Sequence, residues 1–333
     1  MSEPKRLVLV VGVGRSGTSL LAGILGQLGF HIPQPEVRAD DTNPKGFGEP
    51  RWVVDFHRRL MDRLRVIVFD ARPEAFEKTG TVTDEAATHE QLRTWLGGEL
   101  AQADAVVVKD PRVGWFLPLW QRCSDELGAQ TSYVTMLRHP AEILTSARKS
   151  YGTWQSDASR AAAWLNVMLE TEHATRGTRR VFVRYEDLLG GWHAEIARVG
   201  GELDLPLLTD VAADRRAAVD AFVDPGLHRN RVRWDDLDVP AAVRDLSERV
   251  WELFQPLAEA GAEPDATFAQ LDAAHDAYRA LYREAEAISQ PSVTAVRPRK
   301  KDAPAAQPTL RVRIARRIPK PVRLRLRRLA GRS

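Results

Sequence analysis

The stretch LVLVVGVGRSGTSLLAGILGQLGF, residues 7–30, decides the fold class of this chain. It begins with Leu7–Val11, a short and wholly apolar run that is typical of a strand buried in a parallel sheet. A glycine-rich segment, residues 12–17, comes next, and the apolar stretch from Ser19 onward is typical of a helix. Because strand, glycine loop and helix follow one another directly, the stretch predicts a phosphate-binding unit.

The rest of the chain continues this alternation of strands and helices. Further strands are predicted at Ala105–Val108, Tyr133–Leu137 and Val181–Tyr185. Helices are predicted at about 51–64, 86–102, 140–150, 157–176, 190–203, 211–222, 240–260 and 265–288. The expected fold is therefore α/β and P-loop NTPase-like, a parallel sheet flanked by helices, in which ligands bind at the carboxyl ends of the strands.

Composition excludes several classes of protein. The 333 residues are 44% hydrophobic and 28% charged, which is ordinary for a globular chain, and no apolar run reaches the length of a membrane span. The single cysteine, Cys123, excludes an internal disulfide, and the N-terminus does not resemble a signal peptide, so we expect a cytoplasmic protein. The eight histidines are scattered without metal-ligand spacing, so we predict no metal site.

The net charge of +3 hides two oppositely charged parts. Residues 297–333 contain 14 Lys and Arg and one acid, whereas residues 1–296 contain 34 Lys and Arg and 44 Asp and Glu. Because the composition turns to Pro, Ala and Arg near residue 290, we predict one domain over residues 1–290 and a basic, flexible tail over residues 291–333.

The glycine loop satisfies the dinucleotide-binding motif only in part. Residues 12–17 spell G-x-G-x-x-G, and that motif needs a second strand ending in an acid about 20 residues further on. Glu36 stands near that distance, but Pro33 and Pro35 interrupt the strand that should present it. This motif is weak alone, and the missing strand weakens it further.

The loop also resembles the Walker A motif of P-loop kinases. Residues 12–19 spell G-x-x-x-x-G-x-S, with Thr18 where the phosphate-binding lysine belongs, although Arg15 offers a nearby cation. VIVFD and VVVKD end in Asp70 and Asp110, both of which resemble the strand-end aspartate that holds Mg²⁺. A kinase therefore stays open as an alternative.

A loop without the lysine suits a sulfuryl group, which carries one negative charge where a terminal phosphoryl group carries two. Amides, hydroxyls and one or two side-chain cations can bind such a group without a metal ion. GVGRSGTSLL, residues 12–21, resembles the 5′-phosphosulfate-binding loop of sulfotransferases that use 3′-phosphoadenosine-5′-phosphosulfate (PAPS), which commonly contains R-S-G-T-[ST]-L. The resemblance implies that PAPS is bound by Gly14, Arg15, Ser16, Gly17, Thr18 and Ser19.

A second segment, TMLRHPAEILTSARKSYG, residues 135–152, resembles the 3′-phosphate-binding segment of the same family. Arg138 stands at a strand end and Ser146 lies eight positions later in the next helix, which is the family's spacing. The structural alternative is an arginine in a surface pair and a serine bonded to a helix carbonyl. The resemblance implies that both side chains bind the 3′-phosphate of PAPS.

Two weaker matches lie at other strand ends. VRYEDL, residues 183–188, resembles the family's Y-E-D-L, which places Tyr185 near the adenine, unless it is a half-buried strand tyrosine. KDPR, residues 109–112, lies where the family carries a lysine, and this resemblance implies that Lys109 and Arg112 point into the cleft; the alternative is a solvated strand-to-helix turn. Hepatic-type members have a closing R-K-G segment, which this chain lacks. The nearest substitute is FVDPGLHRNR, residues 222–231.

The chain lacks the hepatic-type T-H-x-P histidine, since Asp110 occupies that place. Golgi-type and tyrosine-modifying members use a glutamate after the first helix, and here that segment, within the long loop 33–50, ends in Glu49. The resemblance therefore implies that Glu49 is the general base and that Arg15 and Lys109 assist transfer. The rival bases are Asp40, Asp41 and Asp110, and the structural alternative is that Glu49 stabilises a helix N-terminus.

The sequence thus predicts transfer of a sulfuryl group from PAPS to an acceptor hydroxyl of a carbohydrate, lipid or natural product. The alternatives are a P-loop small-molecule kinase and a nucleotide-binding module without turnover. Trp115 and Trp120 either line the acceptor pocket or pack in the core. The tail segment 309–329 alternates apolar and basic residues, which favours an anionic surface such as the inner face of a membrane, or a solvated arm against the acidic body, rather than nucleic acid.

Overall fold

A parallel sheet forms the centre of the fold, as the sequence predicts. A computed structural model of the chain describes residues 4–40, 43, 45–224, 226, 234–259, 261 and 265–296, and of residues 293–296 the backbone alone. Its strands are β1 (Arg6–Val11), β2 (Ala105–Lys109), β3 (Gln130–Leu137) and β4 (Arg180–Arg184). They stand in the order β2-β1-β3-β4, and each neighbouring pair is parallel. The last strand ends one residue earlier than predicted, because Tyr185 already begins a helix.

Helices connect and cover these strands. They are α1 (Thr18–Gln27), α2 (Arg51–Leu64), α3 (Glu74–Gly80), α4 (Ala86–Gln102), α5 (Leu117–Glu126), α6 (Pro140–Tyr151), α7 (Asp157–Thr175), α8 (Tyr185–Glu202), α9 (Pro206–Thr209), α10 (Ala213–Phe222), α11 (Ala241–Phe254) and α12 (Asp265–Val296). None of them, within the described ranges, is long and apolar enough to cross a membrane.

The chain divides into two units, residues 1–283 and residues 284–333. The sheet and the site described below belong to the first unit. Of the second unit, the structure describes only the end of α12, from residue 284 to residue 296. The predicted boundary at residue 290 and the properties predicted for the tail concern segments that lie largely outside the described residues, so both stay predictions.

The sheet is buried on both faces, which explains why its strands are continuous apolar runs. Along β1, the side chains of Leu7, Leu9 and Val11 belong to one core cluster, which also includes residues of α2, α4, α5 and α7. Val8 and Val10 belong to the opposite cluster, with residues of α1 and α8. Because side chains alternate along a strand, one short run supplies both cores.

The strand register brings four connections to one edge of the sheet. Val10 of β1 pairs with Lys109, the last residue of β2, and Leu137, the last residue of β3, pairs with Arg184, the last residue of β4. Val11 ends β1 beside Thr135 of β3. The residues that follow these strands therefore meet at a single carboxyl edge, where ligands of open α/β sheets bind.

One local expectation of the sequence is corrected, and one alternative that it left open is decided. Residues 66–70 do not form a strand: the carboxylate of Asp70 turns back to accept hydrogen bonds from the backbone of Ile67 and Arg72, and it pairs with the Arg72 side chain at 2.6 Å. Trp115 and Trp120 are both buried in the core rather than in an acceptor pocket.

Candidate functional site

The glycine loop lies between β1 and α1, and two of its glycines are required by geometry. Gly12 and Gly17 have φ values of 130° and 100°, which L side chains rarely adopt. A Cβ atom on Gly17 would lie 2.3 Å from a ring carbon of Tyr185. Arg15 also has a positive φ, 75°, which is uncommon for a residue with a side chain. The loop is thus held in a tight conformation against the start of α8.

The N-terminus of α1 is open to an anion. Gly17 is its N-cap, no side chain caps it, and its first turn contains no acidic residue. The backbone N–H groups at such an end lack helical partners and carry part of the positive end of the helix dipole. Thr18 and Ser19 begin this helix and line the cavity beside it. This arrangement favours a phosphate or sulfate group.

Lys109 supplies a lysine beside the loop, which has none of its own. The residue is 2% exposed. Its Nζ atom donates hydrogen bonds to Ser19 Oγ at 3.1 Å and to Glu49 Oε1 at 2.6 Å. Since β2 lies beside β1, the last residue of β2 ends next to the glycine loop. A lysine from a neighbouring strand therefore contacts the segment in which the Walker A motif would have a lysine.

Glu49 is held beside that lysine by the loop between α1 and α2. Its carbonyl accepts a hydrogen bond from Val37 N at 2.8 Å, and Gly48, with φ 62°, lies close against α1, where a Cβ would be 2.9 Å from Ala22 Cβ. Glu49 is 8% exposed. Burial raises the pKa of its carboxyl above the ordinary 4.5, while the charge of Lys109 acts to lower it. A raised pKa and a position at the loop suit a general base.

Arg138 and Ser146 are brought together through Arg15. Arg138 Nη1 donates to the carbonyl oxygen of Arg15 at 3.1 Å, and Arg15 Nε donates to Ser146 Oγ at 3.1 Å. The Arg138 guanidinium also lies 4.5 Å from the ring centre of Tyr185 and pairs with Glu142 at 2.9 Å. Two motifs more than 120 residues apart in the sequence thus form one cationic cluster.

A cavity of about 1010 Å³ connects these groups. Its lining includes most of the residues singled out from the sequence: Gly14, Arg15, Gly17, Thr18, Ser19, Asp40, Glu49, Lys109, Arg138, Ser146 and Tyr185. Ser16 is fully buried inside the loop, and its hydroxyl has no partner among the described residues, so its contact with PAPS stays a prediction. Asp41 and the residues His228, Arg229 and Arg231 lie outside the described residues.

Asp110, the rival base from β2, is engaged elsewhere. It is 1% exposed, accepts a hydrogen bond from His57 Nδ1 at 2.7 Å and pairs with Arg112 at 2.7 Å. Although its burial acts to raise the pKa, the hydrogen bond from His57 and the charge of Arg112 lower the pKa of Asp110 to about 2. Such a carboxylate is a poor proton acceptor, so the geometry favours Glu49 over Asp110.

His57 is held neutral by its two partners. Trp120 Nε1 can only donate, and it donates to His57 Nε2 at 3.0 Å, so this nitrogen carries no proton and Nδ1–H donates to Asp110. Burial lowers the pKa of His57 below the ordinary 6.5. The folded state therefore resists protonation of His57 at mildly acidic pH.

We expect the free energy of unfolding to fall as the pH drops below 6.5, because the unfolded chain then binds a proton at residue 57 that the folded chain excludes. One such proton gives a slope of up to about 1.4 kcal/mol per pH unit. His57→Asn, which keeps a donor for Asp110, should be less stable at pH 7 but show a shallower slope between pH 6.5 and 5. Urea unfolding at several pH values measures both, and an unchanged slope would contradict the assignment.

A comparison with models of protein families identifies the family of this chain. A model of the sulfotransferase family matches residues 8–210, which include the glycine loop, Glu49, Lys109, Arg138 and Tyr185. The chain belongs to the sulfotransferase family. It is a transferase of the P-loop-like α/β fold.

Solved structures of sulfotransferase domains are similar to this sulfotransferase. One is the sulfotransferase domain from the Synechococcus PCC 7002 olefin synthase, with 20% identity, 79% of this chain and 98% of that chain covered, and a TM-score of 0.42. Another is the sulfotransferase domain from the curacin biosynthetic pathway, with 16% identity, 75% and 98% coverage, and a TM-score of 0.43. A comparison with curated proteins finds no match.

The structure also shows a side of the cavity that sequence reasoning missed. It is formed by α2 and the loop after it, and by the end of α6, the start of α7 and the segment between them. The lining residues are Arg58, Val66, Ile67, Phe69, Tyr151, Trp154, Gln155 and Arg160. Among the described residues, no group of three His, Cys, Asp or Glu is arranged to hold a metal ion there or elsewhere. The signal that could have found this side is the aromatic pair in KSYGTWQS, residues 149–156, directly after the Ser146 segment.

Proposed function

We propose that this sulfotransferase transfers a sulfuryl group from PAPS to a hydroxyl group of its acceptor. The observation that carries the proposal is the joining of the glycine loop, Lys109 and the Arg15–Arg138–Ser146 cluster on one cavity. PAPS has two separate anionic groups, and the cavity offers two sets of donors. The family membership supports sulfuryl transfer, and these donor sets support PAPS as its source.

The donor would lie along the carboxyl edge of the sheet. The loop amides, Thr18, Ser19 and Lys109 would bind the 5′-phosphosulfate, since they surround the N-terminus of α1. Arg138 and Ser146 would bind the 3′-phosphate, and Tyr185 would contact the adenine. Arg15, which contacts both Arg138 and Ser146, lies between the two sets.

Transfer needs a base for the acceptor and a positive charge for the leaving group. The acceptor oxygen would form a bond to sulfur while the bond from sulfur to the 5′-phosphate oxygen breaks, and its electron pair would stay on 3′,5′-adenosine bisphosphate. Glu49 would take the hydroxyl proton, and Lys109, 2.6 Å from Glu49 and 3.1 Å from Ser19, would stabilise the developing negative charge.

We expect Arg138→Ala to weaken the binding of 3′,5′-adenosine bisphosphate by about ten- to a hundredfold, because a charge-assisted contact of this kind contributes roughly 1.5–3 kcal/mol. The binding of AMP, which lacks the 3′-phosphate, should change little. Isothermal titration of both nucleotides measures this, and Arg93→Ala, which removes an exposed arginine side chain of α4, serves as the control. If both nucleotides weaken equally, Arg138 does not bind the 3′-phosphate.

The kinase alternative differs in its requirement for a metal ion. Because Lys109 and Arg15 place two cations at the loop, we expect sulfuryl transfer to proceed at the same rate in excess EDTA as in added Mg²⁺. Mass spectrometry for products 80 Da heavier, after incubation of a cell extract with PAPS, measures both conditions. A strict Mg²⁺ requirement, or ATP bound more tightly than the bisphosphate, would favour the kinase.

A nucleotide-binding module without turnover would bind the bisphosphate and yield no sulfated product in the same assay. The paired Glu49 and Lys109 argue against it, because a binding module has no need of a base. Association of the basic segment 309–329 with an anionic surface stays a prediction, since that segment lies outside the described residues.

A further inference from the structure

Arg160 is a buried cation in the cavity wall that has no carboxylate partner among the described residues. It is 1% exposed and lines the cavity. Its Nη2 donates to the carbonyl oxygen of Gly152, and its Nη1 is buried without a hydrogen-bond partner among the described residues. Asp157, three residues earlier in α7, pairs instead with Arg148 at 3.2 Å.

Such burial is unfavourable unless the charge is compensated. Arg180, another buried arginine of this chain, shows the usual solution, since it pairs with the buried Glu172 at 3.0 Å. The cavity residues Lys109, Arg112 and Arg138 also have carboxylate partners, Glu49, Asp110 and Glu142. Arg160 lies in the first turns of α7, whose dipole adds positive potential rather than compensation. The missing counter-charge indicates an anionic ligand.

Aromatic side chains line the same cavity as Arg160. Phe69 lines the cavity, and its backbone is fixed to Gln155 by a 2.7 Å hydrogen bond. Trp154 is 69% exposed and Tyr151 is 47% exposed, and both line the same cavity. Large apolar side chains exposed beside a binding cleft favour contact with an apolar ligand.

We propose that the acceptor is an amphiphile whose carboxylate or phosphate pairs with Arg160 and whose apolar part lies against Phe69, Tyr151 and Trp154. The inference rests on the proposed function, because the proposed function assigns the glycine loop, Arg138 and Ser146 to PAPS. Arg160 is then a specificity-determining residue, and neutral alcohols are poor acceptors.

The experiment uses the full chain saturated with 3′,5′-adenosine bisphosphate, so that the loop is already occupied. Decanoate, decyl phosphate and decanol are titrated separately by calorimetry. Decanoate and decyl phosphate should bind at least about ten times more tightly than decanol, and their ratio tells which anion the site prefers. Arg160→Met should remove this advantage, Arg160→Lys should keep part of it, and Trp154→Ala should weaken all three probes.

Arg160→Met should leave the bisphosphate affinity and the melting temperature unchanged or raised, because it removes an uncompensated buried charge. The matched control, Arg180→Met, breaks a buried pair and should lower the melting temperature. Three results would each overturn the proposal. Decanoate could bind equally well to the wild-type chain and to Arg160→Met, Arg160→Met could lose bisphosphate affinity, or Arg160→Met could fail to fold. If the wild-type chain does not bind the bisphosphate, the proposed function fails instead, and the same decanoate comparison without nucleotide still tests Arg160.

Discussion

Replacing Glu49 by glutamine is expected to lower the turnover number by about 10²–10⁴-fold, which is the usual contribution of a general base. Glutamine keeps the volume and can still contact Lys109, but it cannot take the acceptor proton. Bisphosphate affinity and folding should stay nearly unchanged. If Glu49 instead only stabilised the start of α2, the variant would lose roughly 0.3–1 kcal/mol of stability and retain its turnover. The structure makes Pro50, not Glu49, the N-cap of that helix.

A matched control for this variant is Asp40→Asn, which removes another carboxylate from the lining of the same cavity. It should retain turnover within a few-fold, and its failure to do so would move the base to Asp40. The pH profile gives a separate check. Because burial raises the pKa of Glu49, the acid limb of kcat should lie above pH 4.5, and the residual activity of Glu49→Gln should lack that limb.

Replacing Lys109 by methionine is expected to lower turnover by about 10²–10³-fold, comparable to removal of a hydrogen-bond donor that stabilises charge in a transition state. The variant removes the Nζ atom that lies between Ser19 and Glu49. It should also move the acid limb of kcat to higher pH, because the charge of Lys109 lowers the pKa of Glu49. Lys109→Arg should recover part of the rate.

The pH shift separates a catalytic lysine from a merely structural one. A lysine that only supports the fold would lower the melting temperature and leave the acid limb where it was. In the proposed mechanism Glu49 and Lys109 act on the same step, so the double variant Glu49→Gln, Lys109→Met should be little slower than the slower single variant. Fully multiplicative losses would show that the two residues act independently.

Much of the fold could be predicted from the sequence because its signals are local. The four strands predicted in the sheet are observed with ends that differ by at most three residues, since continuous apolar runs fit a sheet covered on both faces. The glycines at 12 and 17 mark a turn that requires positive φ, and Gly48 allows the close approach that places Glu49 near α1. The predicted site residues that follow the strands lie together at the carboxyl edge of the sheet, because parallel strands all end at that edge.

Other features could not be predicted because they depend on partners distant in the sequence. Asp70 and Asp110 both follow Val-rich runs, yet the backbone carbonyl of Asp70 accepts a hydrogen bond from Asn166, 96 residues away, and Asp110 is bound by His57, 53 residues away. Ser16 belongs to the loop motif, but its hydroxyl is buried inside the loop. Sequence spacing alone does not state which way a side chain points when several segments meet around it.

The sequence by itself determined the parallel sheet, the phosphate-type loop and the residue types that the family resemblance requires, since backbone conformation and apolar periodicity are short-range properties. Only the tertiary structure decided which charges are paired. It pairs Lys109 with Glu49 and Arg112 with Asp110, and among the described residues it leaves Arg160 with a backbone carbonyl alone. Ion pairing depends on distances of a few ångströms between segments that only folding brings together.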